Sequence, residues 1–353
     1  LTPVKRAGTV IALVCVAVFA AECGGQSPLK KASDAPVPRA TTIPPTSSTT
    51  TTSSTTTTST TTTTTTLPPD LHPLPTPAAI GTAAWTPAGR PVQGIPAVYE
   101  TQLVAPGGAQ PVGIAWMDTN LLAAQLYSGS SSPGGGPYQF TAPIEPAQAA
   151  TLVAAFNGGF LMKDARGGYY TEGKTIDPLV AGAASLVTYA DGSVTVGAWG
   201  TDVSMAPNVT GVRQNLVPLV AGGQPTSLAL SQDWAAWGNT CGVNSCSGPG
   251  IENQWRSGVG VTANGALVYA AGPGLAPAQL AQVMVQAGVV RGMELDINPS
   301  WPVLATYAPT PPTGPAAPAN GSSLQPSSAQ GPGTFFNPAW ARDFVTLSIR
   351  TAG

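Results

Sequence analysis

The chain has 353 residues, with 14 Lys and Arg against 16 Asp and Glu, a formal charge of −2 and one histidine. This balance speaks against the basic footprint that holds nucleic acid. The lone histidine, His72, sits among prolines, which argues against a Ser-His-Asp triad, a Cys-His pair or a His-ligated zinc, so acid–base chemistry falls to carboxylates, Lys, Tyr or a metal held by oxygen ligands.

Lys5 and Arg6 precede an apolar run, Val10 to Ala21, that is short for a membrane span. Residues 1–26 read as a signal peptide or membrane anchor, with a small-residue cleavage site at Val18-Phe19-Ala20. Lipidation at Cys23 is disfavoured by Glu22 before it. Residues 27–79 read as a disordered linker: Thr46–Thr66 is entirely Thr and Ser and has no apolar surface to bury. Such a stretch suits a stalk on a secreted or cell-surface protein, in contact with a membrane only through its N-terminal segment. Residues 80–353 are then expected to form one domain.

Within it, Pro111–Asp118 and Leu121–Ser128 read as a pair of strands, and Glu145–Ala150 as a short helix with Pro146 in its first turn. An apolar strand, Leu152–Phe156, runs into Asn157-Gly158-Gly159-Phe160. Two glycines there let backbone approach a ligand, and Asn157 can donate and accept toward a sugar or phosphate; a plain glycine turn is the simpler reading. Lys163, Arg166 and Lys174 follow closely, a cluster of cations that suits a phosphate or merely a solvated loop. Ser185–Val196 reads as a hairpin on Asp191-Gly192, and Arg256–Tyr269 as a hairpin on Asn264-Gly265. Between them, the irregular stretch 228–254 carries Cys241 and Cys246, expected to form a disulfide in an exported protein; closing so small a loop contributes only about 2 kcal/mol.

A helix should start at Pro277, with Leu280, Val283, Met284 and Ala287 as its apolar stripe and Gly288 at its end. The strand after it organises the rest. Met293, Leu295 and Ile297 alternate with Glu294, Asp296 and Asn298 until Pro299. Two carboxylates and a carboxamide on one face need a reason in a chain that is 8% charged, against roughly 25% in an average soluble protein. A polar edge strand is one reason; a catalytic or ligand-binding strand end is the better one. Trp255 and Trp301 flank these motifs and are candidates for stacking on sugar faces. Val303–Tyr307 and Asp343–Ile349 read as strands, and 308–333 as a mobile loop rich in Pro and Ala.

The order Arg256-Ser257, Val259-Gly260-Val261-Thr262-Ala263-Asn264-Gly265, then Leu280-Ala281-Gln282-Val283-Met284, then Leu295-Asp296, together with Asn157-Gly158-Gly159-Phe160, resembles the phosphodiester glycosidase family. That family includes the enzyme that uncovers mannose 6-phosphate on lysosomal proteins, and many bacterial relatives. The resemblance covers about Val112–Ile349. It departs where the family continues Leu-Asp-Gly-Gly-Gly-Ser, because this chain has Ile297-Asn298-Pro299-Ser300.

The fold class expected is α+β, a single strand-rich domain with helices packed on mixed or antiparallel sheets. The resemblance implies a hydrolase that cleaves a sugar-1-phosphodiester, and the expected export points to cell-wall or exopolysaccharide material as its substrate. The missing glycines leave open an inactive glycan-binding module. Asp296 and Glu294 are expected as the working carboxylates, with Arg256 on the phosphate. Asn157, Gly158, Gly159, Glu172, Asn298 and Trp301 form the expected substrate-binding set. No cofactor is required by the sequence, though oxygen ligands such as Asp296 and Asn298 suit Ca²⁺ or Mg²⁺.

Overall fold

Period-two burial, read along the strands, explains the architecture. In Leu267–Leu275, Leu267, Tyr269 and Ala271 enter one apolar cluster, while Val268 and Ala270 enter another. In Pro111–Met117, Ala115 and Met117 take the first side and Ile114 and Trp116 the second. Both strands lie in the middle of a sheet, so both faces are buried and both carry apolar side chains. In the computed structural model, which describes residues 72–231, 233–238 and 254–351, every strand pair is antiparallel. Residues 1–71 and the Cys241–Cys246 pair lie outside the described residues.

The strands form three sheets. The large one runs Thr86–Ala88, Val98–Val104, Pro111–Met117, Leu267–Leu275, Gln254–Thr262, Val289–Glu294, Pro218–Ala221, Gln224–Pro225. A second runs Lys174–Asp177, Tyr169–Thr171, Val209–Gln214, Ala184–Tyr189, Val194–Ala198. The third, here the closing sheet, runs Gly321–Ser323, Leu304–Tyr307, Leu152–Asn157, Phe344–Ile349, Leu122–Tyr127. The main core lies between the large sheet and the other two, where Met293, Leu295 and Val259 meet Phe156, Val345, Leu347 and Leu186.

The outer face of the large sheet is covered by the helix Pro277–Gln286 through Leu280, Ala281, Val283 and Met284. Pro277 opens that helix, the Gln279 side chain accepts the N–H of Ala276 at 2.9 Å, and Gly288 follows it at φ +88°. Among the described residues the other two α-helices, Pro146–Ala149 and Met162–Ala165, are single turns. The protein is therefore mainly β rather than a balanced α+β fold. Among the described residues only one segment has a helical stripe long enough to cover a sheet; elsewhere sheet covers sheet.

Both hairpins form where Asp-Gly and Asn-Gly place them, with Gly192 at φ +78° and Gly265 at φ +90°. The strands expected at 111–118 and 121–128 form but do not pair with each other. Asp118 holds the N–H groups of Asn120 and Leu121 on its carboxylate, and the chain turns there from the large sheet into the closing sheet. The stretch 308–333 is largely irregular, yet it adds the edge strand Gly321–Ser323 to the closing sheet.

Candidate active site

The end of the acidic strand is built by its neighbour. Val289–Glu294 pairs with Gln254–Thr262, with Gly258 opposite Glu294. Two further backbone bonds continue past the strand: Leu295 N–H to Ser257 O at 2.7 Å and Ser257 N–H to Asp296 O at 2.8 Å. The chain then curls. Asp296 Oδ1 accepts the N–H of Asn298 at 2.9 Å, and Asn298 Oδ1 accepts the N–H of Ser300 at 3.0 Å. These successive side-chain-to-backbone turns end the alternation that the sequence extends to Asn298. Met293 and Leu295 do share the main core, whereas Ile297 packs on the helix side.

A cleft of about 610 Å³ opens at this curl. Asp296 lines it with Asn298, Lys163, Asp164, Arg166 and Arg342. The Asp296 side chain is 1% exposed. Its Oδ2 has no hydrogen-bond partner among the described residues, and the nearest cation, Arg342 Nη2, stands 3.7 Å away. Burial pushes the Asp296 carboxyl up to about 7, against the opposing pull of the Asn298 N–H and the Arg342 guanidinium. The cleft thus holds a carboxyl that burial shifts toward its neutral form, ringed by three cations.

Arg342 was not legible as a site residue. It precedes the last strand, forty-six residues after Asp296 in the sequence. Its guanidinium lies 4.4 Å over the Trp301 ring, Nη1 donates to Gly159 O at 3.3 Å, and burial lowers its pKa. Trp301 itself packs edge-on against Trp340 at 5.3 Å. One face of the indole, expected to stack on sugar, is a platform for Arg342.

Asn157, Gly158 and Gly159 sit behind the cleft wall. Asn157 is held at both ends of its amide: Oδ1 accepts from Tyr269 OH at 2.8 Å and Val303 N–H at 3.2 Å, and Nδ2 donates to Ser257 Oγ at 3.2 Å. Ser257 Oγ in turn accepts the N–H of Asp296 at 3.2 Å, so Asn157 positions the Asp296 backbone through Ser257. The glycines allow close packing. A Cβ at Gly158 would lie 2.1 Å from Asp343 Oδ2, and one at Gly159, where φ is +145°, would lie 3.0 Å from Arg213 Nη2. Asp343 forms a buried ion pair with Arg213 at 2.7 Å. Asn215 ties the glycine turn to the acidic strand, accepting from Phe160 N–H at 3.1 Å and donating to Glu294 O at 2.8 Å. Gly158→Ala is therefore expected to destabilise by about 1–3 kcal/mol or more, since either Asp343 or the turn must move; a melting curve at or near wild type would contradict this packing.

Glu294 and Arg256 lie apart from the cleft lining. Both are fully buried, joined at 2.6 Å, and Arg256 Nε donates to Leu275 O at 2.7 Å. Burial raises the Glu294 pKa in spite of the guanidinium. Residues i and i+2 on a strand share a face, but the curl after Glu294 sends the two carboxyls to different surroundings. Glu172 lies elsewhere too: with Gly173 it makes a tight turn at φ +50° and +78°, and its carboxylate accepts the N–H groups of Gln139 and Phe140. Among the described residues no three of His, Cys, Asp and Glu gather as a metal site. The Asp296 surroundings, rich in cations, do not fit a divalent metal.

The sequence matches no protein-family model and no curated protein. Among solved structures, the chain is similar to the zebrafish N-acetylglucosamine-1-phosphodiester alpha-N-acetylglucosaminidase catalytic domain auto-inhibited by pro-peptide, at 15% identity and TM-score 0.41, covering 76% of this chain and 88% of that one. It is also similar to a hypothetical protein from Synechocystis, at 12% identity and TM-score 0.40, covering 72% of this chain and 63% of that one. At these values neither likeness carries an argument about activity.

Proposed function

We propose that the protein hydrolyses a sugar-1-phosphodiester at the Asp296 cleft, acting outside the cell on phosphodiester-linked glycan. The observation that carries this reading is the buried Oδ2 of Asp296, without a hydrogen bond and 3.7 Å from Arg342 Nη2, in a cleft ringed by Lys163, Arg166 and Arg342. A neutral carboxyl does not repel a phosphodiester anion, and the three cations attract it. Arg342 is the best placed to bind a phosphate oxygen, because its guanidinium is held by Trp301 and Gly159 O.

In the reaction, protonated Asp296 donates to the oxygen that leaves C1 with phosphorus. The C1–O bond breaks, water adds to C1, and the proton that water releases returns to Asp296 through solvent. The products are a free sugar and a phosphate monoester. A monoester has its second pKa near ~6, and a carboxyl raised to about 7 is well matched to protonate such a group. Asn157, Ser257 and Tyr269 hold the Asp296 backbone, and Glu294 with Arg256 holds the strand behind it.

The test is incubation with methyl phosphodiesters of glucose, galactose, mannose and N-acetylglucosamine 1-phosphate, following release of reducing sugar. Turnover of at least one is expected, with kcat/KM falling as pH rises through about 7, where Asp296 loses its proton. A rate that rises across that window would contradict the acid role. Engagement of Glu294 by Arg256, which leaves Asp296 and the exposed Asp164 as the carboxyls lining the cleft among the described residues, favours a second reading: a glycan-binding module without turnover. Saturable binding with no product from any substrate would select it.

A further inference from the structure

Among the described residues four that are not glycine have φ in the left-handed region, and one of the four, Arg166, lines the Asp296 cleft. It follows the single-turn helix Met162–Ala165 at φ +52° and ψ +31°. A left-handed backbone crowds Cβ, and glycine is the residue that takes it freely. Two glycines do come next, but for a different reason: neither has positive φ, and both lack room. A Cβ at Gly167 would lie 2.5 Å from Gln214 Cβ, and one at Gly168 would lie 2.2 Å from Pro178 O. The chain has glycine where space demands it and arginine where φ favours glycine.

The backbone around Arg166 is pinned on both sides. Leu216 N–H donates to Ala165 O at 2.7 Å, Gly168 N–H donates to Gln214 Oε1 at 2.7 Å, and Gly168 O accepts Gln214 N–H at 3.1 Å. Strain of this kind persists where neighbouring bonds over-determine it, and it gathers at ligand sites. The Arg166 side chain is exposed and makes no ion pair or hydrogen bond among the described residues. The other two cations of the cleft each have a carboxylate nearby: Lys163 Nζ stands 3.8 Å from Asp164 Oδ2, and Arg342 Nη2 stands 3.7 Å from Asp296 Oδ2. Arg166 is therefore the cation of the cleft whose charge is least offset, held out on a fixed turn. A guanidinium so placed suits an anion.

We propose that Arg166 binds a second anionic group of the substrate, carried by the fragment that leaves with phosphorus, and so selects substrates whose leaving fragment is doubly anionic. This rests on the reading of the Asp296 cleft as a phosphodiester site, in which Arg342 takes the scissile phosphate. A simple diester has one anion and leaves Arg166 without a direct partner. Breaking the C1–O bond adds charge to the departing fragment, so a cation held beside that fragment gains most there. Phosphate and carboxylate both match the guanidinium fork. A chain of repeating phosphodiesters supplies the first, and an acidic sugar the second.

Calorimetric titration of the full chain with methyl phosphate, glycerol 1,3-bisphosphate and 3-phosphoglycerate tests this. Each presents the phosphate monoester that cleavage leaves; the last two add a second phosphate or a carboxylate. At least one of these two is expected to bind roughly tenfold more tightly than methyl phosphate, the scale of one added hydrogen bond to a charged group. The tighter of the two identifies the anion. Arg166→Gly should abolish that preference, and Arg166→Lys should keep part of it. Arg166→Gly should also melt at or above the wild type, because glycine takes this φ without strain, so lost binding is separated from lost folding. The proposal is overturned if the wild type binds all three alike or none of them, if Arg166→Gly keeps the preference, or if Lys163→Ala removes it as completely. None of these readings needs turnover. The preference in a chain that hydrolyses no diester would count against the hydrolytic reading alone, and turnover of simple diesters without the preference would count against this proposal alone.

Discussion

Asp296→Asn is expected to lower hydrolysis of sugar-1-phosphodiesters at least about a hundredfold, the scale of a lost general acid, while its melting temperature at pH 8 equals or exceeds that of wild type. The two halves have one cause. Burial raises the carboxyl from 3.8 to about 7. Between those values the folded state binds a proton that the unfolded chain does not, so this group's contribution to stability falls as pH rises from about 4 to about 7. At pH 8 the wild type holds a buried carboxylate whose Oδ2 has no hydrogen bond among the described residues. An amide of the same shape removes that charge and keeps an oxygen for the Asn298 N–H. Near pH 4 the difference in melting temperature should shrink, because both side chains are then neutral. A variant that unfolds at pH 8 would show Asp296 to be a structural residue.

Arg256→Ala should behave in the opposite way, losing activity through folding. The Arg256–Glu294 pair is fully buried at 2.6 Å, and removing the cation strands a carboxylate with nothing to offset its burial. Breaking such a pair costs about 3–5 kcal/mol, a large part of the stability of a typical domain. Glu294→Gln should cost less, since Gln still offers an oxygen to Arg256. Urea denaturation checks both. If Arg256→Ala folds normally and only weakens substrate binding, the guanidinium faces phosphate, as the resemblance to phosphodiester glycosidases implies, and not the buried strand.

These variants separate what the sequence could tell from what it could not. Hairpins were legible because Asp191-Gly192 and Asn264-Gly265 encode their turns locally, and Pro277–Gln286 because its stripe has helical period. The place of Asp296 in the cleft lining was legible because acids are scarce in this chain and it stands at a strand end. The partnership of Glu294 with Arg256, rather than with Asp296, was not. It depends on a curl set by side-chain bonds to Asn298 and Ser300, where the sequence suggests continued alternation. Arg342, Arg213 and Asn215 escaped for a different reason. Each reaches the site across a sheet boundary, and no local pattern records contacts so distant in sequence. The only cue was compositional: Arg342-Asp343 just precedes the last strand as a pair of charges in a chain with few.

The measurement closest to the central claim is a carbon-detected NMR titration of the aspartate side-chain carboxyls, with the Asp296 resonance assigned by its absence from Asp296→Asn. A midpoint near 7 is expected, moving upward when a non-hydrolysed phosphodiester anion occupies the cleft. A midpoint at or below the ordinary aspartate value of about 3.9, or one that does not respond to the anion, would contradict a neutral acid poised beneath a bound phosphate.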